Sequence, residues 1–322
     1  MRALFYTETG RVDIQELLDD VPASGEVSVD VKLIGICGSD ILGYMGKSRG
    51  RVPPLVLGHE FTGRLDGQRV VVNPIVSCGQ CVVCRAGHDN ICADMKLLGL
   101  HRHGAMRERI NVPKTNIIVY GDGVADEVMT LTEPFACAIH SVAMVPLRTD
   151  GRSLIIGFGC LGSMIGGVLK YKNMRQVDVV DSASARAALG ERFGARAITA
   201  EAIEPMSYDY VFDCVGSVET HASSGRAVKS GGHIVLVGYK EAAGGIDFVD
   251  IVRREYHLHG VMAYRANEFR EAARLLENGA LDTEGLVKFY DLADGQRAFD
   301  DARDDKTLVI KNMLRVSNFR AV

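Results

Sequence analysis

At 322 residues, with 47% hydrophobic and 24% charged residues, the chain is too long for one small core and too apolar for a disordered or fibrous protein. A net charge of −4 leaves no basic footprint, so neither nucleic acid nor an anionic membrane is an expected partner. No apolar run is long enough to span a bilayer and the first residues lack a signal-peptide core, which points to a cytoplasmic protein.

The first third reads as β. Val27, Val29, Val31 and Leu33 alternate with polar residues, the period of a half-buried strand, and glycine and proline punctuate 46–54, 58–67 and 99–104 as loops between short strands. Near Thr132 the texture changes, and Thr-Glu-Pro opens a helix that runs to about Met144. From Arg152 onward apolar strands alternate with helices. Strands are expected at Ser153 to Gly157, Val177 to Asp181, Tyr208 to Cys214 and His233 to Gly238. Helices are expected at Leu161 to Lys172, Ser184 to Phe193 and Glu219 to Lys229. This alternation predicts a parallel sheet covered on both faces. After Gly260 come a helix from Glu268 to Asn278, a helix around Asp294 to Ala302 and a terminal strand from Thr307 to Met313.

The first of those strands leads into Gly157-Phe-Gly159-Cys160-Leu161-Gly162 and an apolar helix. In a dinucleotide fingerprint Gly157 allows the tight turn, Gly159 lets backbone approach a pyrophosphate, and Gly162 lets helix and sheet pack closely. The helix N-terminus then offers free N–H groups to the phosphates. The next strand ends in Asp181, 24 positions after Gly157 and close to the expected ~20. A carboxylate there accepts ribose hydroxyls and repels a 2′-phosphate, which favours NAD over NADP. Arg186 reads either as a neighbour of the adenosine ribose or as a solvated helix residue. Val215, Val237 and Gly238 end later strands, where such a sheet binds its ligand, although strand ends are also simply turns.

Of eight cysteines, Cys78, Cys81, Cys84 and Cys92 are crowded together, while Cys37, Cys137, Cys160 and Cys214 are scattered. Such crowding in a chain of this kind favours metal over disulfides. Four thiolates at this spacing close a tetrahedron around zinc with no room for water, a structural ion that supplies folding energy to a lobe without its own core. A second, dispersed set comprises Cys37, His59, Glu60 and Glu133. Thiolate, imidazole and carboxylates suit a zinc with one open position. Taken singly, the same residues read as a core cysteine, a turn histidine and a helix-dipole carboxylate.

Together, Cys37-Gly-Ser39-Asp40, Gly58-His59-Glu60, the four-cysteine lobe, Glu133-Pro134 and Gly157-Phe-Gly-Cys-Leu-Gly162 resemble, in that order, the zinc-containing medium-chain dehydrogenase/reductase family over nearly the whole chain. The resemblance implies an α/β fold, a doubly wound Rossmann sheet plus a β-rich, GroES-like catalytic domain. It divides the chain into a catalytic domain over 1–134 with the zinc lobe at 78–92, an NAD-binding domain over 135–262, and a return to the catalytic domain over 263–322, with the active site in the cleft between domains. It implies two zincs per chain and NAD. It makes Cys37, His59 and either Glu60 or Glu133 the catalytic ligands. Glu133 stands where simpler alcohol dehydrogenases place a second thiolate, as in the sorbitol, threonine and sugar-phosphate dehydrogenases of the polyol branch. Cys137, one turn on, is either a competing ligand or a helix-packing residue. Asp40 would orient His59, and Ser39 would relay the proton of a zinc-polarised alcohol as hydride passes to nicotinamide.

Two departures stand out from that pattern. Leu42 occupies the place of a histidine that many relatives use to pass the proton on, so its exit would run through water or the cofactor ribose. The stretch between Gly63 and Gln68 is shorter than the usual hairpin. The branch implies a secondary alcohol, either polyol, sugar alcohol or sugar alcohol phosphate, as the small-molecule substrate. Lys47-Ser-Arg49-Gly-Arg51 would meet a substrate phosphate or form a solvated loop, and His101 and His103 either reach the cleft or are loop histidines. Relatives associate through the Rossmann sheet edge, so a homodimer or homotetramer is expected, with the apolar strand from His233 compatible with that edge. Two rival readings are a zinc-free quinone or enoyl reductase of the same superfamily, which lacks this ligand set, and a non-enzymatic zinc or NAD-binding module, which leaves Cys37, His59, Glu60 and Glu133 as coincidences.

Overall fold

The alternation from Val27 to Leu33 becomes the spine of the first half of the chain. In the computed structural model, which describes residues 1–241, 244–304 and 309–316, these residues form the strand Glu26–Gly35, with Val29, Val31 and Leu33 buried. One edge of this strand pairs antiparallel with Glu60–Leu65, from Gly35 opposite Glu60 to Asp30 opposite Arg64. Along its other edge run first Arg109–Pro113 and then, opposite Gly35 and Ile34, the strand Lys311–Arg315. Gln68–Val72, Ile117–Val119 and Val287–Asp291 extend the sheet to seven strands. A second small sheet holds Arg2–Glu8 between Arg11–Glu16 and Leu55–Val56. Both sheets close on one core that includes Leu4, Ile34, Phe61 and Phe299.

The short connection after Gly63 is a hairpin with a two-residue turn. Asp66 (φ 49°) and Gly67 (φ 82°) are both left-handed, the conformation whose twist matches the flanking strands.

The described residues fall into two compact units, one of residues 1–133, 265–304 and 311–316 and the other of residues 134–264 with 309–310. The second unit is a six-stranded sheet with every pairing parallel. Its order is Arg196–Ala197, Gln176–Val180, Arg152–Ile156, Tyr208–Asp213, Val228–Leu236 and His257–Gly260. In chain order that is 3-2-1-4-5-6, the doubly wound arrangement in which the sheet reverses beside its first strand.

Several expected elements shift. The strand from His233 is interior, because His257–Gly260 pairs along its outer side and forms the edge. That edge strand, His-Leu-His-Gly, is short and half polar and so carried no periodic signal. The helix expected to reach Lys229 is Val218–Ala227, since Val228 already pairs with Tyr208 in the sheet. The helix after Ser184 is α-helical only to Ala188 and tightens to a 3-10 turn over Leu189–Phe193, closed by Gly194 at φ 72°. The terminal strand is Lys311–Arg315, and the part of the expectation at 307–308 lies outside the described residues.

Asp178 ties its own strand of the parallel sheet to three others. Its carboxylate is 6% exposed and accepts hydrogen bonds from Arg152 (2.8 Å), Arg196 (2.8 Å) and the Tyr208 hydroxyl (2.8 Å). Burial alone would raise its pKa, but these donors outweigh it and hold the carboxyl below the ordinary carboxylate range. Replacing Asp178 with alanine removes the acceptor shared by Arg152, Arg196 and Tyr208, leaving Arg152 only Glu204 as a charged partner, and is expected to cost this unit about 3 kcal/mol, read as an earlier unfolding transition in urea. The wild-type contribution is complete above the unfolded carboxylate pKa of about 4 and is lost as pH falls through the lowered native value, a fall that the alanine variant should not show.

Candidate metal centres and dinucleotide site

The strand Glu26–Gly35 ends in a tight corner at Ile36-Cys37, and the short helix Gly38–Tyr44 starts immediately after it. Asp40, in the first turn of that helix, accepts the Cys37 backbone N–H at 3.2 Å and so fixes where the Cys37 thiol points. Across the sheet pairing, Glu60 faces Gly35, where a Cβ would collide with the Glu60 carboxylate; only glycine lets that side chain lie flat on the strand. Cys37, His59 and Glu60 thereby bring one ligand atom each to within 4.8 Å of one another.

His59 and Glu60 are buried, and each is held from behind. His59 Nδ1 lies 3.5 Å from Asp40 Oδ1. Burial opposes a charge on the imidazole, yet Asp40 and Cys37 together push its pKa well above the ordinary value. Burial likewise works against ionisation of Asp40, but His59, Arg51 and the Cys37 N–H overcome it and bring the carboxyl down to about 2. Glu60 receives the Lys311 ammonium at 2.7–2.8 Å, and Lys311 Nζ also donates to the Ile36 carbonyl at 3.3 Å. Glu133 is buried at the start of the helix Thr132–Ala143, and its pKa is pushed up to about 7 by burial, with the charge of Glu60 adding to the effect. Glu133 is not one of the three grouped ligands. Cys137 lies one turn further along that helix, where its carbonyl accepts the Ser141 hydroxyl.

Two residues near this centre were not singled out from sequence for what they do. Lys311 is one; the available signal was a lysine inside the apolar run Leu308-Val-Ile-Lys311-Asn-Met-Leu314. Arg51 is the other. It is only 6% exposed, donates to the Ser39 hydroxyl at 2.9 Å and to Asp40 at 3.2 Å, and is therefore part of neither a solvated loop nor a free phosphate contact. Lys47 and Arg49 of the same segment are exposed. Nothing in its glycine- and proline-rich surroundings distinguished Arg51 from them. His101 and His103 are loop-fixing groups: their Nδ1 atoms accept the N–H of Leu97 (3.0 Å) and of Val56 (3.1 Å).

The four crowded cysteines converge. Sulfur–sulfur distances are 3.5 Å for Cys78–Cys92 and 3.9 Å for both Cys78–Cys84 and Cys81–Cys92, and all eight cysteines are free thiols. Backbone N–H groups of Gln80 and Cys81 point at Cys78 and lower its pKa to about 6. This is a thiolate cage of the size that tetrahedral zinc requires, with Zn–S near 2.3 Å. The lobe itself holds one helical turn, Val82–Arg85, and one 3-10 turn, Asp89–Ile91, too little apolar material to fold unaided. Asp89 docks it by accepting the Ala266 N–H at the start of the helix Ala266–Glu277.

At the dinucleotide fingerprint, Gly157 adopts φ 86° and Gly162 lies so close to the Gly157 carbonyl that a Cβ would not fit. The helix Cys160–Tyr171 begins at Gly159, so Cys160, Leu161 and Gly162 form its first turn with N–H groups free of intrahelical partners. Asp181 follows the second strand and accepts the Phe158 N–H and the Ala183 N–H, both at 2.8 Å. Arg186 is neither solvated nor free: it turns back on Asp181 at 3.3 Å. Asp213, at the end of the strand Tyr208–Asp213, draws together the two later strand ends. Its carboxylate accepts Val215 N–H and Gly216 N–H, and its carbonyl accepts Val237 N–H and Gly238 N–H, each at 2.9 Å.

The fold and these two donor sets define a nicotinamide-dependent oxidoreductase with zinc. Residues 23–122 match the alcohol dehydrogenase GroES-like domain, and residues 160–278 match the zinc-binding dehydrogenase domain. The chain is similar to sorbitol dehydrogenase of Bacillus subtilis (27% identical, covering 98% of this chain and 97% of that one) and to L-galactonate-5-dehydrogenase of Escherichia coli (27%, 83% and 84%). It also superposes on the crystal structure of the rspB alcohol dehydrogenase of E. coli CFT073 complexed with NADH, at a TM-score of 0.90, 27% identity and coverage of 98% and 99%. The chain belongs to the zinc-containing medium-chain dehydrogenase/reductase family, in its polyol dehydrogenase branch. No helix among the described residues is long and apolar enough to cross a membrane.

If the cysteine lobe holds its own ion, Cys92→Ser is expected to lower zinc content by one equivalent per chain while leaving a second equivalent bound. The lobe should then become the first site of proteolysis. Metal analysis beside limited digestion checks both outcomes.

Proposed function

We propose that the protein oxidises a secondary alcohol of a polyol or sugar-derived substrate with NAD, and reduces the ketone in reverse, at a centre built from Cys37, His59 and Glu60. The observation that carries this reading is the approach of one thiolate, one imidazole and one carboxylate within 4.8 Å, each braced by a buried partner. A bound zinc supplies Lewis acidity toward a substrate oxygen, and bound NAD supplies the hydride acceptor. Glu133 would complete the centre from the helix start as a carboxylate facing the open position.

The chain's own contribution to proton transfer is Ser39. Arg51 donates to the Ser39 Oγ, which holds the hydroxyl in one orientation and leaves its second lone pair to accept the substrate's proton. No histidine follows at Leu42, so the proton leaves Ser39 to water or to the cofactor ribose. Substrate class is argued from the relatives, whose names specify sorbitol and L-galactonate as what those enzymes act on. A phosphorylated substrate is less well supported, since Arg51 is committed to Ser39 and Asp40.

We further propose that residues 1–134 and 263–322 form the catalytic domain and residues 135–262 the NAD-binding domain, and that Gly157, Gly159, Cys160, Leu161, Gly162, Asp181, Val215, Val237 and Gly238 line the cofactor. Preference for NAD rests on Asp181, with Arg186 beside it reducing the penalty against a 2′-phosphate. A cytoplasmic homodimer or homotetramer is the assembly that fits, with His257–Gly260 as the edge available for pairing.

Assay over a polyol and sugar-acid panel, followed by NADH absorbance, tests the central reading; turnover of simple primary alcohols alone would sink it. Ser39→Ala is expected to lower kcat by about 100-fold with little change in KM. Arg186→Ala should widen the kcat/KM ratio of NAD over NADP, and an unchanged ratio would remove Arg186 from cofactor selection.

A further inference from the structure

Arg107 lies in the first unit and belongs to none of the groups described above. It is 6% exposed, and no hydrogen bond or ion pair joins its guanidinium to any described residue. Its Nε is fully buried without a partner. Arginine is seldom buried this deeply unless paired, because a guanidinium stripped of water and given no acceptor costs several kcal/mol. The neighbouring acids are engaged elsewhere. Glu108 binds Arg2 at 2.8–2.9 Å, Asp30 binds Arg109 at 3.0 Å, and Glu26 binds Arg102 at 3.0 Å.

Arg107 lines a half-open cleft of about 240 Å³, formed where the loop through Asp19, Asp20 and Pro22 passes over the strand Arg109–Pro113. One water needs only 10–15 Å³ on this measure, so the cleft has room for a molecule of several heavy atoms. The loop is held in place by Asn111, whose amide donates to the Asp20 carbonyl at 2.7 Å. Both exposed carboxylates, Asp19 and Asp20, face the same space without touching Arg107; Asp19 reaches only Arg109, at 3.6 Å. Burial lowers the Arg107 pKa, and Asp20 opposes that shift only at a distance. The cleft thus has a buried cation on its floor and a rim that carries Asp19, Asp20 and Arg109, of which Asp20 makes no ion pair with a described residue.

We propose that this cleft binds a small molecule through an oxyanion, carboxylate or phosphate, seated on the Arg107 guanidinium, with the molecule's ammonium or hydroxyl groups meeting Asp19 and Asp20. Arginine's planar fork suits both oxyanions, and the rim selects a ligand that carries donors at its other end. The site shares no residue with the Cys37 centre or the cysteine lobe.

The zinc-loaded protein is titrated with inorganic phosphate and, separately, with L-glutamate, ionic strength being held constant with NaCl. Binding is followed by calorimetry and thermal shift. Saturation at one equivalent per chain is expected for at least one of the two, and the stronger ligand identifies the oxyanion preferred. Arg107→Met should weaken that ligand at least tenfold while leaving kcat unchanged, which separates this cleft from binding at the active centre. Arg107→Lys, which keeps the charge but not the fork, should weaken it less and serves if the methionine variant does not fold. Asp20→Asn should favour phosphate relative to L-glutamate. Flat titrations with both probes overturn the proposal, as does a saturable site whose affinity both Arg107 variants leave unchanged. A methionine variant that is more stable than wild type, with flat titrations throughout, would mark Arg107 as an uncompensated burial and overturn it equally.

Discussion

Three segments of chain meet on the carboxylate of Asp40, which has no exposure to solvent. It accepts the Cys37 N–H from its own helix start and the Arg51 guanidinium from the following loop, and faces His59 just before the strand Glu60–Leu65. Removing a carboxylate from water costs several kcal/mol, and it persists here because each of these contacts returns part of that cost. The consequence is positional. Ser39 is held by Arg51, Arg51 is held by Asp40, and the same carboxylate takes the Cys37 N–H and faces the His59 imidazole. Displacing that one group would loosen Cys37, His59, Ser39 and the Arg51 loop together.

Much of this architecture is legible in the sequence, and the reasons differ from part to part. The four cysteines of the lobe lie within fifteen positions, so their convergence is a local matter of turn geometry. The glycine turn and Asp181 belong to one strand–helix–strand unit, again short in sequence. By contrast, Lys311 reaches Glu60 across 251 positions, and no spacing rule covers such a distance. Arg51 looked like one of three cations in a loop, because exposure rather than residue type separates it from Lys47 and Arg49. The edge strand His257–Gly260 was missed for a different reason: a strand of four residues needs no periodic pattern when its neighbour supplies the pairing.

Arg186 has a partner that its position in the sequence did not suggest. Placing a cation five positions after the acid invited a contact with the cofactor, or with water. The helix instead turns the guanidinium back onto Asp181, whose oxygens also take two backbone N–H groups. The carboxylate that follows the second strand is therefore half of an ion pair rather than a bare charge. Asp213 does comparable work in silence, since its four N–H contacts draw together the loops that follow two neighbouring strands.

The pairing of Lys311 with Glu60 also sets an order on biosynthesis. The strand that carries Lys311 is made after residues 134–264, yet it pairs with Gly35 and supplies the cation for a carboxylate that was translated 251 residues earlier. At 5–20 residues per second the first unit waits roughly 10 to 50 seconds for that partner. By the end of this interval residues 134–264 have emerged and are free to fold, while Glu60 still has no lysine and the central sheet still lacks two strands. The dinucleotide-binding half is therefore ready before the metal-binding half is complete, and a nascent chain released early would carry the fingerprint turn intact beside an unfinished metal centre.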